Sequence, residues 1–245
     1  MNTLVIMTIG LFILSVVSGM LGLGVAFSAV PFLGLFLPDL VHQVMPLSLL
    51  LNGITALFSV FGFARSGLVD WKKAFTLSLV TTVVAPTGAY LVQFVPQLYI
   101  WMIYLASVLY LSYRLFRPVV ERPGEENFRL ALILAVPISV LAGFLGIGPG
   151  FLLMPTLIIV GFNAKKAAGI NAFAVCPPSF SSLIPHIGTA QWDMDLALPL
   201  LVVGAVGSFL GARLTSLYVP SGRLKQIFGV LIVVMTAYKI YTLFA

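Results

Sequence analysis

Two glycine-rich stretches are the most informative part of the sequence: residues 18–31 read SGMLGLGVAFSAVP, and residues 142–155 read AGFLGIGPGFLLMP. They align without a gap, and each carries three glycines, a phenylalanine and a proline at the same spacing. Each stretch interrupts a long apolar run, 3–37 in the first case and 129–161 in the second. The ordered repetition indicates a duplication, so we expect two related halves.

The composition predicts an α-helical membrane protein. Hydrophobic residues make up 60% of the 245-residue chain and charged residues only 8%, whereas about a quarter of a soluble domain is charged. Besides the two interrupted runs, segments long enough to cross a bilayer (roughly 20 residues) lie near 43–64, 73–95, 98–116, 167–187, 196–218 and 224–244. About eight hydrophobic segments are therefore expected. A nucleic-acid-binding role is excluded because no hydrophilic domain could carry a phosphate-binding surface.

The interrupted runs predict the topology. Each is too long for one crossing and too short for two, so we expect a helical hairpin that enters and leaves on one face. Each half is then a glycine-broken hairpin plus three full crossings, and the second half is inverted. The first repeat covers 1–116, a cytoplasmic linker 117–128 and the second repeat 129–245. This arrangement places every basic residue except Lys239 on one side, which the positive-inside rule makes cytoplasmic. Both termini are then extracytoplasmic.

The breaks themselves are the best candidate for a binding site. A new half-helix should start around Ala26–Phe27 and around Gly150–Phe151, and its first N–H groups have no intrahelical partner. These groups carry the positive end of the helix dipole, so two such ends meeting in mid-membrane would bind an anion through backbone alone. The alternative for the glycines is close helix packing. The candidate substrate-binding backbone comprises Gly22, Gly24, Ala26, Phe27, Gly146, Gly148, Gly150 and Phe151.

Uncharged polar side chains in the crossings are the second candidate group. Asn52 lies at the centre of its run, and Asn171 and Ser179 lie in the related run of the second half. They either complete the coordination of an oxyanion or form interhelical hydrogen bonds. His186 and Gln191 are candidates for gating or coupling, although an interfacial position in contact with water or headgroups is the more ordinary role for His186.

Several chemistries are not expected. No carboxylate lies inside a run, and no His, Cys, Asp or Glu cluster has the spacing of metal ligands. There is no nucleophile–base pair and no phosphate-binding Gly-x-x-x-x-Gly-Lys loop. We therefore expect neither an enzyme nor a bound cofactor or metal.

The doubled Gly-x-x-Gly-x-Gly-x-x-x-x-x-x-Pro pattern at 19–31 and 143–155 resembles the sulfite exporter TauE/SafE family. The segment 67–71, GLVDW, and the Gly-Ala pairs at 88–89 and 211–212 support the resemblance, which covers essentially the whole chain. It implies an inner-membrane transporter of bacteria or archaea that exports sulfite, sulfoacetate or related sulfonates. Val25 and Ala26 replace further glycines of the first signature, so the second break carries more weight than Gly24.

These patterns predict a secondary transporter that exports a small anion, sulfite or a short organosulfonate, by alternating access. The expected partners are that anion and the lipid bilayer, and self-association into a homo-oligomer stays open. A non-transporting membrane scaffold or assembly factor and an anion channel are the alternatives.

Overall fold

The computed structural model describes residues 2–116, 126–191 and 193–217, together with 233, 234, 236–238 and 241. Most of the predicted linker 117–128 and of the last apolar run 224–244 lies outside these residues. In the described part every regular element is helical: α1 Asn2–Leu21, α2 Ala26–Leu33, α3 Met45–Ala64, α4 Trp71–Leu91, α5 Gln97–Phe116, α6 Phe128–Leu145, α7 Gly150–Ile159, α8 Ala164–Leu183 and α9 Met194–Leu217.

Among the described residues, six helical segments are long and apolar enough to cross a membrane. They are Thr3–Leu21, Leu40–Ala64, Trp71–Phe94, Phe128–Leu145, Ala164–His186 and Met194–Leu217. Helices satisfy all their backbone hydrogen bonds internally, as the hydrocarbon core requires. The protein is an all-helical, multi-span membrane protein, as the composition predicted.

Two of these segments form the centre of the bundle. In an apolar 18-residue stretch of each span, the buried share of residues is 72% for the span containing α3 and 67% for the span containing α8. It is only 33–44% in the other four spans. The outer helices present large apolar side chains such as Val83 and Ile133 to the outside. The central position of α3 and α8 explains why the uncharged polar residues of the spans can be buried without facing lipid.

The outer helices pack through glycines in two corresponding pairs. A Cβ on Gly211 of α9 would overlap the carbonyl oxygen of Val16 in α1, and a Cβ on Gly88 of α4 would overlap the carbonyl oxygen of Val140 in α6. Gly19 of α1 and Gly143 of α6 meet the partner backbone in the same way. The packing explanation is therefore correct for the first glycine of each motif.

The later glycines of each motif end a helix and start a short one. Gly22 and Gly24 have φ of 62° and 70°, and Gly146 and Gly148 have φ of 67° and 66°, a left-handed conformation that residues with a Cβ rarely adopt. The short helices begin at Ala26 and Gly150. Both predicted helix restarts are confirmed.

The arms of each hairpin are unequal. The first arms, α1 and α6, have 20 and 18 residues, while the second arms, α2 and α7, have only 8 and 10. The second arms therefore extend only about 12–15 Å at 1.5 Å per residue. The backbone N–H of Asn127, which precedes α6, donates to the carbonyl of Val160 after α7 at 2.8 Å. This hairpin thus returns to the end of the bundle at which it began.

The same end of the bundle carries an ion-pair cluster, defined by Asp70, Lys73, Glu126 and Lys166. Lys73 pairs with both carboxylates, and its Nζ lies 3.6 Å from Oδ2 of Asp70. Lys166 Nζ lies 3.7 Å from the same Asp70 oxygen and 2.9 Å from Oε1 of Glu126. The cluster joins the start of α4, the segment before α6 and the start of α8.

Candidate functional site

The first turns of α2 and α7 meet in the interior. The rings of Phe27 and Phe151 stack with their centroids 4.7 Å apart and their planes at 13°, and both side chains are buried. The left-handed glycines direct the chain from each long arm into this contact. The structure therefore brings together the two helix starts that the sequence predicted.

Asn52 of α3 links the two breaks. Its Oδ1 accepts a hydrogen bond from the N–H of Ala26 at 2.9 Å, and its Nδ2 donates to Oγ of Ser179 in α8 at 2.8 Å. A Cβ on either Gly24 or Gly148 would overlap this amide side chain. These two glycines are needed so that both chain breaks can approach Asn52 closely.

Two N–H groups at the start of α2, those of Val25 and Ala26, are paired with side chains of α3. Thr55 Oγ1 accepts the N–H of Val25 at 3.1 Å, next to the Ala26–Asn52 bond. The Tyr104 hydroxyl donates to the Phe27 carbonyl, and Ser18 Oγ donates to the Gly24 carbonyl. Unpaired amides were expected at both breaks; at the first break this expectation is wrong, because α3 supplies acceptors to Val25 and Ala26.

The N-terminus of α7 keeps its donors. Within the described part of the chain, no hydrogen bond is made by the N–H groups of Gly148, Gly150 or Phe151. Pro149 stands at the N-cap position with φ of −74° and has no N–H of its own. The expectation of unpaired amides therefore holds at the second break.

Asn171 of α8 ties the breaks together through their carbonyls. Its Nδ2 donates to the carbonyl of Gly22 at 2.6 Å and to that of Gly150 at 3.2 Å. Two carbonyl partners require the NH₂ end of the amide to point at them. Its Oδ1 is buried with no hydrogen-bond partner among the described residues.

The arrangement is suited to bind a negative group without any charged side chain. All the side chains named at the breaks are neutral, and the positive character comes from the N–H groups and dipole at the start of α7. Gly22 and Gly146 lie to one side: a Cβ on Gly22 would overlap the carbonyl of Ala168, and one on Gly146 would press on the side chain of Met45. These two glycines form the bends.

Tyr104 is the residue at the breaks that sequence reasoning missed. Thr55 lies three residues after Asn52 on the same face of α3, and this spacing predicted that it would either help to coordinate an oxyanion or form an interhelical hydrogen bond, but not that it would accept the Val25 N–H. Tyr104 lies in an apolar run, and its sequence carries no comparable signal.

The two gating candidates lie at the opposite end from the ion-pair cluster. Gln191 Oε1 accepts a hydrogen bond from Gln43 Nε2 at 3.0 Å, and the Gln191 N–H donates to the His42 carbonyl at 2.8 Å. Gln43 precedes Asn52 by nine residues, about 13 Å along a helix. A small cavity of about 90 Å³ opens beside these amides, lined by Leu37, Gln43, Leu47, Gln191, Asp193, Leu196 and Ala197.

His186 is not at an exposed interface. Its side chain is fully buried in the turn Ile184–His186 that follows α8, and neither ring nitrogen has a hydrogen-bond partner among the described residues. The expectation of contact with water or headgroups is therefore wrong. The close packing of the end of α8 against neighbouring segments excludes solvent from the ring.

Sequence comparison with known proteins finds a family that matches this chain. A family model described as Sulfite exporter TauE/SafE matches residues 6–239. A probable membrane transporter protein of Bacillus subtilis is 26% identical over 226 residues, covering 88% of this chain and 91% of that protein. One of Xylella fastidiosa is 26% identical over 240 residues, covering 91% and 89%, and one of Methanocaldococcus jannaschii is 23% identical over 188 residues, covering 72% and 69%. No solved structure matches the chain.

Proposed function

The chain belongs to the sulfite exporter TauE/SafE family of membrane transporters, and from this premise we propose that it exports a small anion by alternating access. The substrate class is sulfite or a short organosulfonate such as sulfoacetate. One observation carries the proposal: the N-terminus of α7 presents N–H groups that have no partner among the described residues, beside Asn52 in the buried centre of the bundle.

The anion binds at the start of α7. The N–H groups of Gly148, Gly150 and Phe151 are the donors, and the helix dipole favours a negative charge at this position. Asn52 contributes the second hydrogen of its Nδ2, since only one is used by Ser179. Gly24, Ala26, Phe27, Asn171 and Ser179 form the opposite wall, and Gly22 and Gly146 provide the bends.

Movement of the two halves past each other exposes this site alternately to the two sides of the membrane. Inverted repeats arranged around a central site are common in secondary transporters. The inverted repeat is supported by the corresponding glycine contacts of α1 with α9 and of α6 with α4. Contacts that recur between equivalent helices are expected when two similar halves pack around a pseudo-two-fold axis.

The end of the bundle that carries the ion-pair cluster faces the cytoplasm in this proposal. Lys73 of the first half and Lys166 of the second half lie at the same carboxylates. Two halves in the same orientation would put these lysines on opposite faces of the membrane. Their proximity supports the arrangement in which the basic residues share one side, with both termini outside.

Transport is tested with purified protein in liposomes loaded with sulfite, sulfoacetate or methanesulfonate. We expect saturable flux of at least one of these anions, and a large loss of flux in Asn52→Ala. Flux that rises linearly with concentration would indicate a channel instead. A complete panel without flux and without thermal stabilisation of the protein would refute the proposal.

Orientation is tested separately. A reporter enzyme that is active only outside the cytoplasm should be active when it is fused to the C-terminus. A cytoplasmic C-terminus would refute the inverted arrangement but would not affect the transport test.

A further inference from the structure

Glu126 is held by one lysine from each half of the chain. Its Oε2 accepts a hydrogen bond from Lys73 Nζ, at the start of α4, and its Oε1 accepts one from Lys166 Nζ at 2.9 Å, at the start of α8. Each carboxylate oxygen thus has its own ammonium donor. A small oxyanion bridging the two lysines would make the same pair of charge-assisted hydrogen bonds.

An aromatic ring lies under both ammonium groups. Lys73 Nζ is 4.8 Å and Lys166 Nζ 5.8 Å from the centroid of the Phe162 ring, and Phe162 is fully buried. Cation–π attraction holds the lysines over this ring whichever anion sits between them. The two cations are thus positioned by the protein and do not depend on Glu126 alone.

Glu126 is ionised at neutral pH and is exchangeable. The hydrogen bond from Lys73 lowers the pKa of the Glu126 carboxyl, opposed in part by burial and aided by Lys166. The four side chains of the cluster are 26–37% exposed. Ion pairs that solvent reaches are weakened by it, so a dissolved anion can compete with the carboxylate for the lysines.

We propose that Lys73 and Lys166 form an entry site for a small oxyanion at the basic end of the bundle, and that Glu126 occupies this site as a built-in substitute for the substrate. The proposal rests on the proposed transport function. Displacement of Glu126 by the anion frees the segment before α6 from α4 and α8. Because α6 leads into the second glycine break, release at the entry site loosens the same hairpin that carries the free N–H groups of α7.

The chain offers matched variants for the test. Glu126→Gln removes the competing charge at almost unchanged size, while Lys73→Gln and Lys166→Gln each remove one cation. Lys72 and Lys165 are the adjacent lysines in the same helical turns, and within the described residues neither takes part in an ion pair. Lys72→Gln and Lys165→Gln are therefore the controls for a general loss of positive charge.

Two readouts are measured on the purified full-length protein, with sulfite and methanesulfonate as the probe anions. The first is the half-saturating concentration of flux in liposomes, with the anion on the side of the cluster. The second is thermal stabilisation by the anion in detergent. We expect Glu126→Gln to lower the half-saturating concentration about threefold and to increase the stabilisation. Lys73→Gln and Lys166→Gln should raise that concentration at least about fivefold, with the controls within about twofold of wild type.

The outcomes separate this inference from the proposed function. Normal flux in which the Glu126, Lys73 and Lys166 variants all match the controls would overturn the entry site and leave transport standing. Stabilisation that depends on both lysines, in a protein without flux, would support the entry site and refute transport. Neither flux nor stabilisation in the wild type would refute both.

Discussion

The short helices α2 and α7 begin after the same glycine pattern, but their N-termini differ in what pairs with them. At α2, the N–H groups of Val25 and Ala26 are bonded to Thr55 and Asn52. At α7, the N–H groups of Gly150 and Phe151 have no partner in the described part of the chain. The repeated motif has thus produced one helix start that is paired by α3 and one whose first donors have no partner in the described part of the chain.

The difference comes from the central helices that face each start. Asn52 turns its oxygen toward the amides of α2, whereas Asn171 turns its NH₂ toward the carbonyls of Gly22 and Gly150. The hydroxyl of Ser179 donates to the Val175 carbonyl in its own helix. Among the described residues, acceptors therefore reach α2 but not α7, so equivalent backbone breaks need not have equivalent hydrogen bonding.

The largest effect should come from a negative charge at position 52, between the two breaks, because that charge would repel a bound anion. In Asn52→Asp the oxygen that accepts from Ala26 remains, but a negative charge stands beside Gly148. Repulsion between unit charges about 4 Å apart is on the order of 4 kcal/mol near a protein surface. Even half of that repulsion energy would lower the anion affinity by about thirtyfold. The half-saturating concentration of flux in liposomes measures this change.

The control for this variant is Asn163→Asp. Asn163 is an exposed N-cap residue whose oxygen accepts the N–H of Lys165, and aspartate caps as well as asparagine. Asn163→Asp should keep its flux. Equal flux in the two variants would mean that the anion does not bind beside Asn52.

The next prediction separates two consequences of adding a side chain at the second break: steric overlap with Asn52 and strain in a left-handed backbone. In Gly148→Ala the new Cβ overlaps Nδ2 of Asn52, in addition to the strain of about 1–2 kcal/mol for a side chain in a left-handed conformation. Gly67 has the same φ of 66° but nothing within 4 Å of its added Cβ. We expect about a tenfold loss of flux for Gly148→Ala and almost none for Gly67→Ala. Parallel losses would show that strain alone explains the effect.

A smaller effect should show that the start of α2 is structural. Thr55→Val removes the acceptor of the buried Val25 N–H, at a cost of about 1–3 kcal/mol in unfolding free energy. Flux per folded molecule should change less than about twofold. Thr76→Val is the control, because Thr76 is part-exposed and its hydroxyl donates to the carbonyl of Lys72 in its own helix. A strong loss of flux with unchanged stability would assign Thr55 to substrate binding instead.

The smallest effect concerns the carbonyl side of α2. Tyr104→Phe removes the donor to the Phe27 carbonyl and should lower the unfolding free energy by about 1 kcal/mol. Denaturation in detergent measures it, with the exposed Tyr99 changed to phenylalanine for comparison. If both variants unfold like wild type, the bond does not contribute to holding α2 in place.

Local features were predictable from the sequence. The restarts expected at Ala26–Phe27 and Gly150–Phe151 match helices that begin at Ala26 and Gly150, because left-handed glycines end a helix wherever the chain is placed. The pairing of the Val25 and Ala26 amides was not predictable. It depends on Asn52 and Thr55, which come from a helix some 26–30 residues away in sequence. The burial of His186 was missed for a similar reason, since hydropathy gives a position along a span but not the neighbours of a side chain.

Composition and backbone freedom are properties of neighbouring residues, so the amino-acid sequence was sufficient to predict a membrane protein of apolar spans with two glycine-broken helices. Tertiary structure alone decided which break keeps its amide donors and that Lys73 and Lys166 share Glu126. Hydrogen bonds and ion pairs act over about 3 Å, and only the packing of distant helices can bring their partners within that reach.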